Sequence, residues 1–214
     1  MRIYEIFTSI DGEVNFFGAG RISTFIRFSG CDFENPCIYC DTKYALKLSD
    51  GKEMSVDEVV AEVKKLECKK ITITGGEPLL QKREFDQLTK ILWHEGFNIS
   101  VETNGSFLPD GYGIGSWVVD YKLPSSGNFD KMKDENFVSL NSADYVKFVI
   151  TDKYDYDKAI VVMGWLKKLG CKANFAFGPV FGTDIQRKLV PWLVRDKLFD
   201  VIVNVQIHKF LGIK

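Results

Sequence analysis

Residues 30–42 read GCDFENPCIYCDT and place three of the chain's five cysteines within ten positions, Cys31, Cys37 and Cys40, as C-x5-C-x2-C. No apolar run approaches the 18 residues of a membrane span, and the opening MRIYEIFTSIDGE turns polar too early for a secretory leader. The expected compartment is therefore the cytoplasm, where structural disulfides do not persist and a cysteine cluster signals metal or redox chemistry. Zinc ordinarily takes four protein ligands, commonly as two pairs. Here there is no second pair, and His94 and His208 are remote. Zinc completed by an aspartate or a distant histidine stays open, as does a tight turn with buried cysteines. The polar Asp32, Glu34 and Asn35 argue against the latter. A cubane iron–sulfur cluster fits better, because three thiolates from one loop leave one iron with an open position. Cys68 and Cys171, each trailing a helical pattern, read as ordinary half-buried residues.

Working outward, β-rich and helical patterns alternate. Residues 2–10 and 21–28 read as strands joined by a glycine-bearing loop. SVDEVVAEVKKLE, from 55, carries apolar residues on one helix face behind a Ser55-x-x-Glu58 capping box. KKITITGGEP (69–78) is a β-branched strand breaking into a Gly-Gly turn. A helix over 82–96 ends at Gly96, and strands follow over 98–105, 116–127, 143–151 and 172–182. Helices are expected over 154–170 and 183–197, the latter kinked or split by Pro191, and residues 199–210 read as a closing strand. Alternation of this kind implies right-handed crossovers and a mostly parallel sheet with helices outside. About seven strands with only about four convincing helices suggest an α/β incomplete barrel, and residues 1–214 read as a single domain. The turns TGGEP, ETNG, DYKLPSSG and GPVFG all fall at strand C-terminal ends, the rim where such sheets bind ligands.

The chain has 214 residues, 28 basic and 29 acidic, for a net charge of −1, and these charges are interspersed. That balance shows no basic stripe for nucleic acid and no polybasic end for an anionic membrane, and it favours a small-molecule partner. The 45% apolar fraction with 17 Phe supplies ample core.

The cysteine triad with Tyr39 before its third member, followed by Gly75-Gly76-Glu77-Pro78, resembles the radical S-adenosylmethionine (radical SAM) superfamily. The resemblance implies a partial TIM barrel. It also implies a 4Fe–4S cluster on Cys31, Cys37 and Cys40, whose unique iron is chelated by the amine and carboxylate of S-adenosylmethionine. Gly75 and Gly76 would let the backbone approach that cofactor, Glu77 would order the turn or accept from the ligand, and Pro78 would fix the exit. The usual first cysteine spacing is three residues and here it is five. That extra length lies in a loop and leaves Cys37-x2-Cys40 in register.

Further segments narrow the likeness. EIFTSIDGE, the Gly20-Arg21 turn, FIRFSGC, Cys40-Asp41-Thr42, TGGEPLLQ, ETNG, KLPSSG (122–127), VKFVI and QIHKF (206–210) are similar, in order, to the 7-carboxy-7-deazaguanine synthase family. The resemblance implies ring contraction of 6-carboxy-5,6,7,8-tetrahydropterin to 7-carboxy-7-deazaguanine with loss of ammonia. Such an enzyme uses S-adenosylmethionine as a regenerated cofactor, a magnesium ion, an external donor of the flavodoxin or ferredoxin type, and a homodimer. It places Ile10, Asp11, Gly12, Glu13, Arg27, Thr74, His208 and the Lys214 carboxylate around the pterin, with Glu13, Arg27 and His208 among the catalytic set. Thr42 would hold magnesium. Tyr39 to Asp41, Gly76, Asp120, Tyr121, Lys122 and Gly178, Pro179, Val180 and Phe181 would contact S-adenosylmethionine. Asp11 stands where the family has glutamine and Asp120 where many members have serine, so both contacts change character. A glycyl-radical activase, or outside enzymes an electron-transfer or zinc module, explains the cysteines but neither SIDGE nor PSSG.

Overall fold

A computed structural model of the chain describes residues 1–213; Lys214 and its expected role lie outside the described residues. The described residues form one nine-stranded sheet. β1 (Arg2–Ile10) pairs antiparallel with β2 (Ile22–Phe28), and β3 (Lys52–Glu53) pairs antiparallel with the other side of β1. From β2 the sheet continues in parallel through β4 (Lys70–Gly75), β5 (Asn98–Thr103), β6 (Ile114–Asp120), β7 (Tyr145–Ile150), β8 (Asn174–Pro179) and β9 (Ile202–Val203). The helices are α1 (Val56–Lys65), α2 (Lys82–His94), the short α3 (Glu135–Val138), α4 (Lys153–Lys168), α5 (Ile185–Arg195) and α6 (Ile207–Leu211). The sheet is open between β3 and β9, which makes the incomplete barrel expected from the sequence.

The seven long strands are those that the sequence pattern marks; β3 is an additional two-residue edge strand, and β9 is the short paired part of the expected closing strand. No helix joins β5 to β6, as the short crossover requires. Pro191 sits inside α5 without splitting it. The closing strand over 199–210 is a misreading: only Ile202–Val203 pair, and the chain then bends into α6. Asn204 causes the break. Its side chain is drawn inward, where Oδ1 accepts from Val14 N–H at 3.0 Å and Nδ2 donates to Glu13 at 3.1 Å.

Alternation along the parallel strands positions everything else, because successive side chains point to opposite faces. One face (Ile71, Ile73, Ile99, Val101, Val119, Phe148, Phe177) is fully buried against Val59 and Val63 of α1, Phe85, Leu88 and Leu92 of α2, and Tyr156, Ala159 and Leu166 of α4. The other carries Thr72, Thr74, Ser100, Glu102, Asp120 and Lys147 into the barrel interior. The α1 capping box forms as expected, with Ser55 Oγ accepting from Glu58 N–H at 3.2 Å and the Glu58 carboxylate accepting from Ser55 N–H at 2.7 Å.

Buried Asp155 at the start of α4 secures the rim turn after β6. Its carboxylate accepts from both N–H and hydroxyl of Ser125, and from Thr151 N–H at 3.2 Å and Thr151 Oγ1 at 2.6 Å. Asp155→Ala strands two backbone donors, each costing about 1–3 kcal/mol when left unpaired. Urea denaturation of the variant is expected to show a loss of about 2–5 kcal/mol.

Candidate active site

The hairpin of β1 and β2 sends the loop over residues 11–20 to the edge of the sheet where the parallel strands begin. There Phe16 N–H donates to Ser116 Oγ near the start of β6 at 3.1 Å, and Asp11 pairs with Lys70, the first residue of β4. The loop thus closes one end of the barrel, while the cysteines follow β2 at the other. Between them lies a cavity of about 370 Å³. Its lining includes Asp11, Gly12, Glu13, Arg27, Cys31, Cys37, Tyr39, Cys40, Asp41 and Thr42, together with Thr74, Gly75, Gly76, Asp120, Lys122 and His208. Gly178, Pro179, Val180 and Phe181 complete the predicted residues on its wall. Three expected residues stand apart. Ile10 is not on the wall, the Tyr121 ring is buried among Phe129, Phe137 and Phe148, and Glu77 lies wholly beneath the turn.

The floor is a set of buried charges that balance one another. Asp11 is 1% exposed and accepts from Lys70, Thr72 Oγ1 (2.7 Å), Asn15 Nδ2 (3.0 Å) and Glu13 N–H (3.2 Å). Its carboxylate therefore organises the loop instead of facing a ligand. Glu13 accepts from Lys147, from Asn204 and from Gln206 Nε2 at 3.1 Å. Lys147 also lies 3.0 Å from Asp120, which in turn accepts from Lys122 at 2.7 Å. Burial alone would raise the Asp120 carboxyl and depress both lysines, yet the two ammonium groups hold Asp120 ionised below its ordinary range and Asp120 keeps the lysines protonated. Aspartate at this position is what neutralises two buried lysines. Arg27 is held by Glu5 through Nε at 2.9 Å, with its guanidinium 5.9 Å from the Phe7 ring centroid and 5.8 Å from that of Tyr44.

Glu102 lines the same cavity and was not singled out in the sequence. It accepts from Thr74 Oγ1 at 2.7 Å, and burial, then the neighbouring Glu13 charge, push its carboxyl up to about 8. The signal for it was present in the alternation of ISVET, where polar residues repeat at every second position of a strand expected to be apolar throughout.

At the rim, the Gly-Gly turn lies directly on the backbone that enters the cysteine loop. Gly76 N–H donates to Phe28 O at 3.1 Å and Glu77 N–H to Gly30 O at 2.7 Å. A Cβ on Gly76 would overlap the Gly30 carbonyl, and one on Gly75 (φ +144°) the Phe28 backbone. Glu77 orders the turn from below, accepting from Leu79 N–H (2.9 Å), Asn104 N–H (2.7 Å) and Thr103 Oγ1 (2.8 Å); burial raises its carboxyl to about 7. The α6 segment caps the opening. Lys209 pairs with Asp41 at 2.6 Å, and Phe210 meets Phe181 edge-on at 5.2 Å. His208 packs on Gly12 so closely that a Cβ there would lie 2.6 Å from its Nδ1. Burial lowers the His208 pKa, which favours a neutral ring.

The donor set fits an iron–sulfur cluster. All three cysteines are half-buried on the cavity wall as free thiols, and side-chain amides already point at two of them, Asn104 Nδ2 at Cys31 Sγ and Asn128 Nδ2 at Cys37 Sγ. Burial pushes the Cys31 and Cys37 thiols up, and bound iron would supply the positive charge that favours their thiolate forms.

Comparison with known proteins agrees with this geometry. The radical SAM superfamily pattern matches residues 25–187. The 7-carboxy-7-deazaguanine synthase of Clostridium acetobutylicum is 36% identical, over 98% of this chain and 95% of its own. That of Methanospirillum hungatei is also 36% identical, over 100% and 86%, and that of Koribacter versatilis 33%, over 99% and 96%. Among solved structures, QueE from Escherichia coli superposes with a TM-score of 0.76 at 21% identity, covering 96% of this chain and 93% of that one. SuiB from Streptococcus suis, bound to S-adenosylmethionine, reaches 0.58 at 13% identity, over 85% and 51%. The chain is a radical SAM protein, of the class that carries a 4Fe–4S cluster and uses S-adenosylmethionine. Within that class it belongs to the 7-carboxy-7-deazaguanine synthase family.

Glu102 offers a direct test of the floor's electrostatics. A carboxyl whose folded-state pKa exceeds its unfolded value binds its proton more tightly when native. Its contribution is therefore greatest at low pH and is lost as pH rises from about 4.5 toward 8. Glu102→Gln removes that decline. In urea denaturation of the metal-free chain, the variant is expected to gain on the wild type across this window, by up to about 1.4 kcal/mol per pH unit.

Proposed function

We infer that this chain converts 6-carboxy-5,6,7,8-tetrahydropterin into 7-carboxy-7-deazaguanine with release of ammonia, as a carbon–nitrogen lyase of deazapurine biosynthesis. The observation that carries the inference is the single cavity joining the cysteine triad to a floor built from Gly12, Glu13 and Arg27, in a chain that matches its relatives from end to end. Held by Cys31, Cys37 and Cys40 and the wall around Gly76, the cluster and S-adenosylmethionine would supply reductively initiated radical chemistry at the substrate.

The chain's own residues bind and orient. Glu5 fixes Arg27 through Nε, so the remaining nitrogens of the planar fork are the part offered to the substrate carboxylate. Glu13 already uses three of the roughly four acceptor positions of a carboxylate, which leaves one for the 2-amino edge of the pterin. Neutral His208, resting on Gly12, and Thr74 complete the pterin wall. Asp120 and Lys122, Tyr39 and the segment from Gly178 to Phe181 form the S-adenosylmethionine wall. Thr42, whose hydroxyl lies 3.6 Å from Cys40 Sγ, is the magnesium ligand in this reading. Magnesium takes oxygen donors and commonly few protein groups, the rest coming from water and substrate. We further assign a flavodoxin- or ferredoxin-type electron donor, a homodimeric state and a cytoplasmic location. Among the described residues no helix is long and apolar enough to cross a membrane.

Anaerobic reconstitution with iron and sulfide, then addition of pterin, S-adenosylmethionine, magnesium and a reductant, is expected to yield the deazaguanine; cofactor cleavage without that product would refute the substrate assignment. Cys37→Ala should abolish both cluster absorbance and turnover. Arg27→Lys should lower kcat/KM by roughly 10- to 100-fold, mainly through KM, because an ammonium cannot reproduce the fork's paired contact; this is read by anaerobic steady-state kinetics.

A further inference from the structure

Two asparagines outside the predicted site reach the cysteine loop. Asn104 follows β5 in the ETNG turn and is 7% exposed. Its Nδ2 lies 3.8 Å from Cys31 Sγ and donates to Asp32 Oδ1 at 2.8 Å. The amide's orientation is set by its other end, where Oδ1 accepts from Ser106 N–H at 2.9 Å and Ser106 Oγ at 2.6 Å. Turning it over would face donors with donors. Asn128 follows the PSSG turn and is 3% exposed. Its Nδ2 lies 3.6 Å from Cys37 Sγ and 3.1 Å from the Asn35 carbonyl, a pairing that likewise demands the nitrogen on that side. Its backbone is tied to the same turn through Ser126 Oγ at 3.0 Å, and Ser126 O accepts from Ile38 N–H at 3.2 Å.

The arrangement is symmetrical in function. The cysteines that open and close the five-residue interval each have one amide, and each amide also grips a loop residue of that interval, Asp32 next to Cys31 in one case and Asn35, two residues before Cys37, in the other. Hydrogen bonds to ligating sulfurs are among the levers that set an iron–sulfur reduction potential, because a donor stabilises the charge added on reduction.

We propose that Asn104 and Asn128 are positioning residues that donate N–H···S hydrogen bonds to Cys31 and Cys37 in the cluster-loaded protein, making the cluster easier to reduce while clamping the long first interval of the triad. The proposal rests on the family's cluster. It does not rest on the pterin assignment, since its test uses neither pterin nor S-adenosylmethionine.

The reconstituted wild type is titrated against a series of ambient potentials, and the reduced cluster is followed by electron paramagnetic resonance, beside Asn104→Leu, Asn128→Leu, Asn104→Asp and Asn128→Asp. Leucine matches the amide in size without a donor or a charge, and aspartate matches its shape while adding charge. Each leucine variant is expected to lower the ratio of reduced to oxidised cluster about tenfold at fixed potential, a shift of about 59 mV for a one-electron couple. Each aspartate variant should fall further. Asn136→Ala serves as a control for general loss of packing, because buried Asn136 donates to Gly105 O at 3.0 Å and to no cysteine; its potential should stay unchanged. Leucine variants with full iron content and the wild-type potential would overturn the proposal. So would variants that fold by circular dichroism yet hold no cluster, which would make the asparagines structural props only.

Discussion

The ion pair between Lys147 and Glu13 joins the middle of β7 to the loop that closes the barrel's end, and the interior is arranged around it. An unpaired ammonium at this depth would lose its charge, since desolvation of an isolated ion outweighs what folding can offset. Glu13 supplies one counter-charge and Asp120 the other. Asp120 then needs Lys122, and Glu13 draws in Asn204 and Gln206, which bends the chain away from β9 and starts α6. His208 and Lys209 arrive over the cavity as a consequence of that bend. One buried cation thus links the floor, the wall and the cap.

Asp11 and Lys70 do the same work one step further down. Four donors converge on the Asp11 carboxylate, leaving it no ready face for a ligand. A carboxylate suits this position better than an amide would once Lys70 stands opposite, because it accepts everywhere and carries the compensating charge. The loop over residues 11–15 is therefore held by its own first side chain, and its backbone, with Glu13, is what meets the cavity. Charge at this floor is shared unequally. Asp11, Glu13 and Asp120 pair with Lys70, Lys147 and Lys122, while Glu102 takes a hydroxyl donor from Thr74, and burial, then the Glu13 charge, displace its carboxyl upward.

Much of this was legible from residue order. The triad, the Gly-Gly turn and the alternation of strands and helices marked the barrel and its ligand-binding rim, and most of the expected site residues stand on one cavity wall. Tyr121 escaped because its neighbours Asp120 and Lys122 do face the cavity, and strand alternation sends the residue between them to the core. Glu77 takes the first of its two expected roles: the turn it stabilises lies above it, so its carboxylate serves the backbone amides of Leu79 and Asn104 rather than facing the cavity. The last strand failed where Asn204 interrupts an otherwise convincing β pattern, and only the buried partner 190 residues away explains the break.

The five-residue first spacing has a physical account in the same terms. Lengthening a loop costs little closure entropy, roughly 0.6 kcal/mol per doubling, so the insertion itself is cheap. What it threatens is the placement of Cys31 relative to Cys37, since each added residue brings two soft dihedrals. A loop free to sample those conformations would present its thiolates in register only part of the time, and cluster binding would bear the ordering cost. Here the inserted segment is held from outside: Asn104 grips Asp32, Asn128 grips the Asn35 carbonyl, and Ser126 O receives Ile38 N–H. These anchors come from the ends of β5 and β6, elements that the buried core already fixes, and Asp155 of α4 braces the second of them through Ser125. Loop length and anchoring are matched here: the longer interval between Cys31 and Cys37 is held at Asp32 by Asn104 and at Asn35 by Asn128, which lowers the ordering cost that cluster binding has to meet.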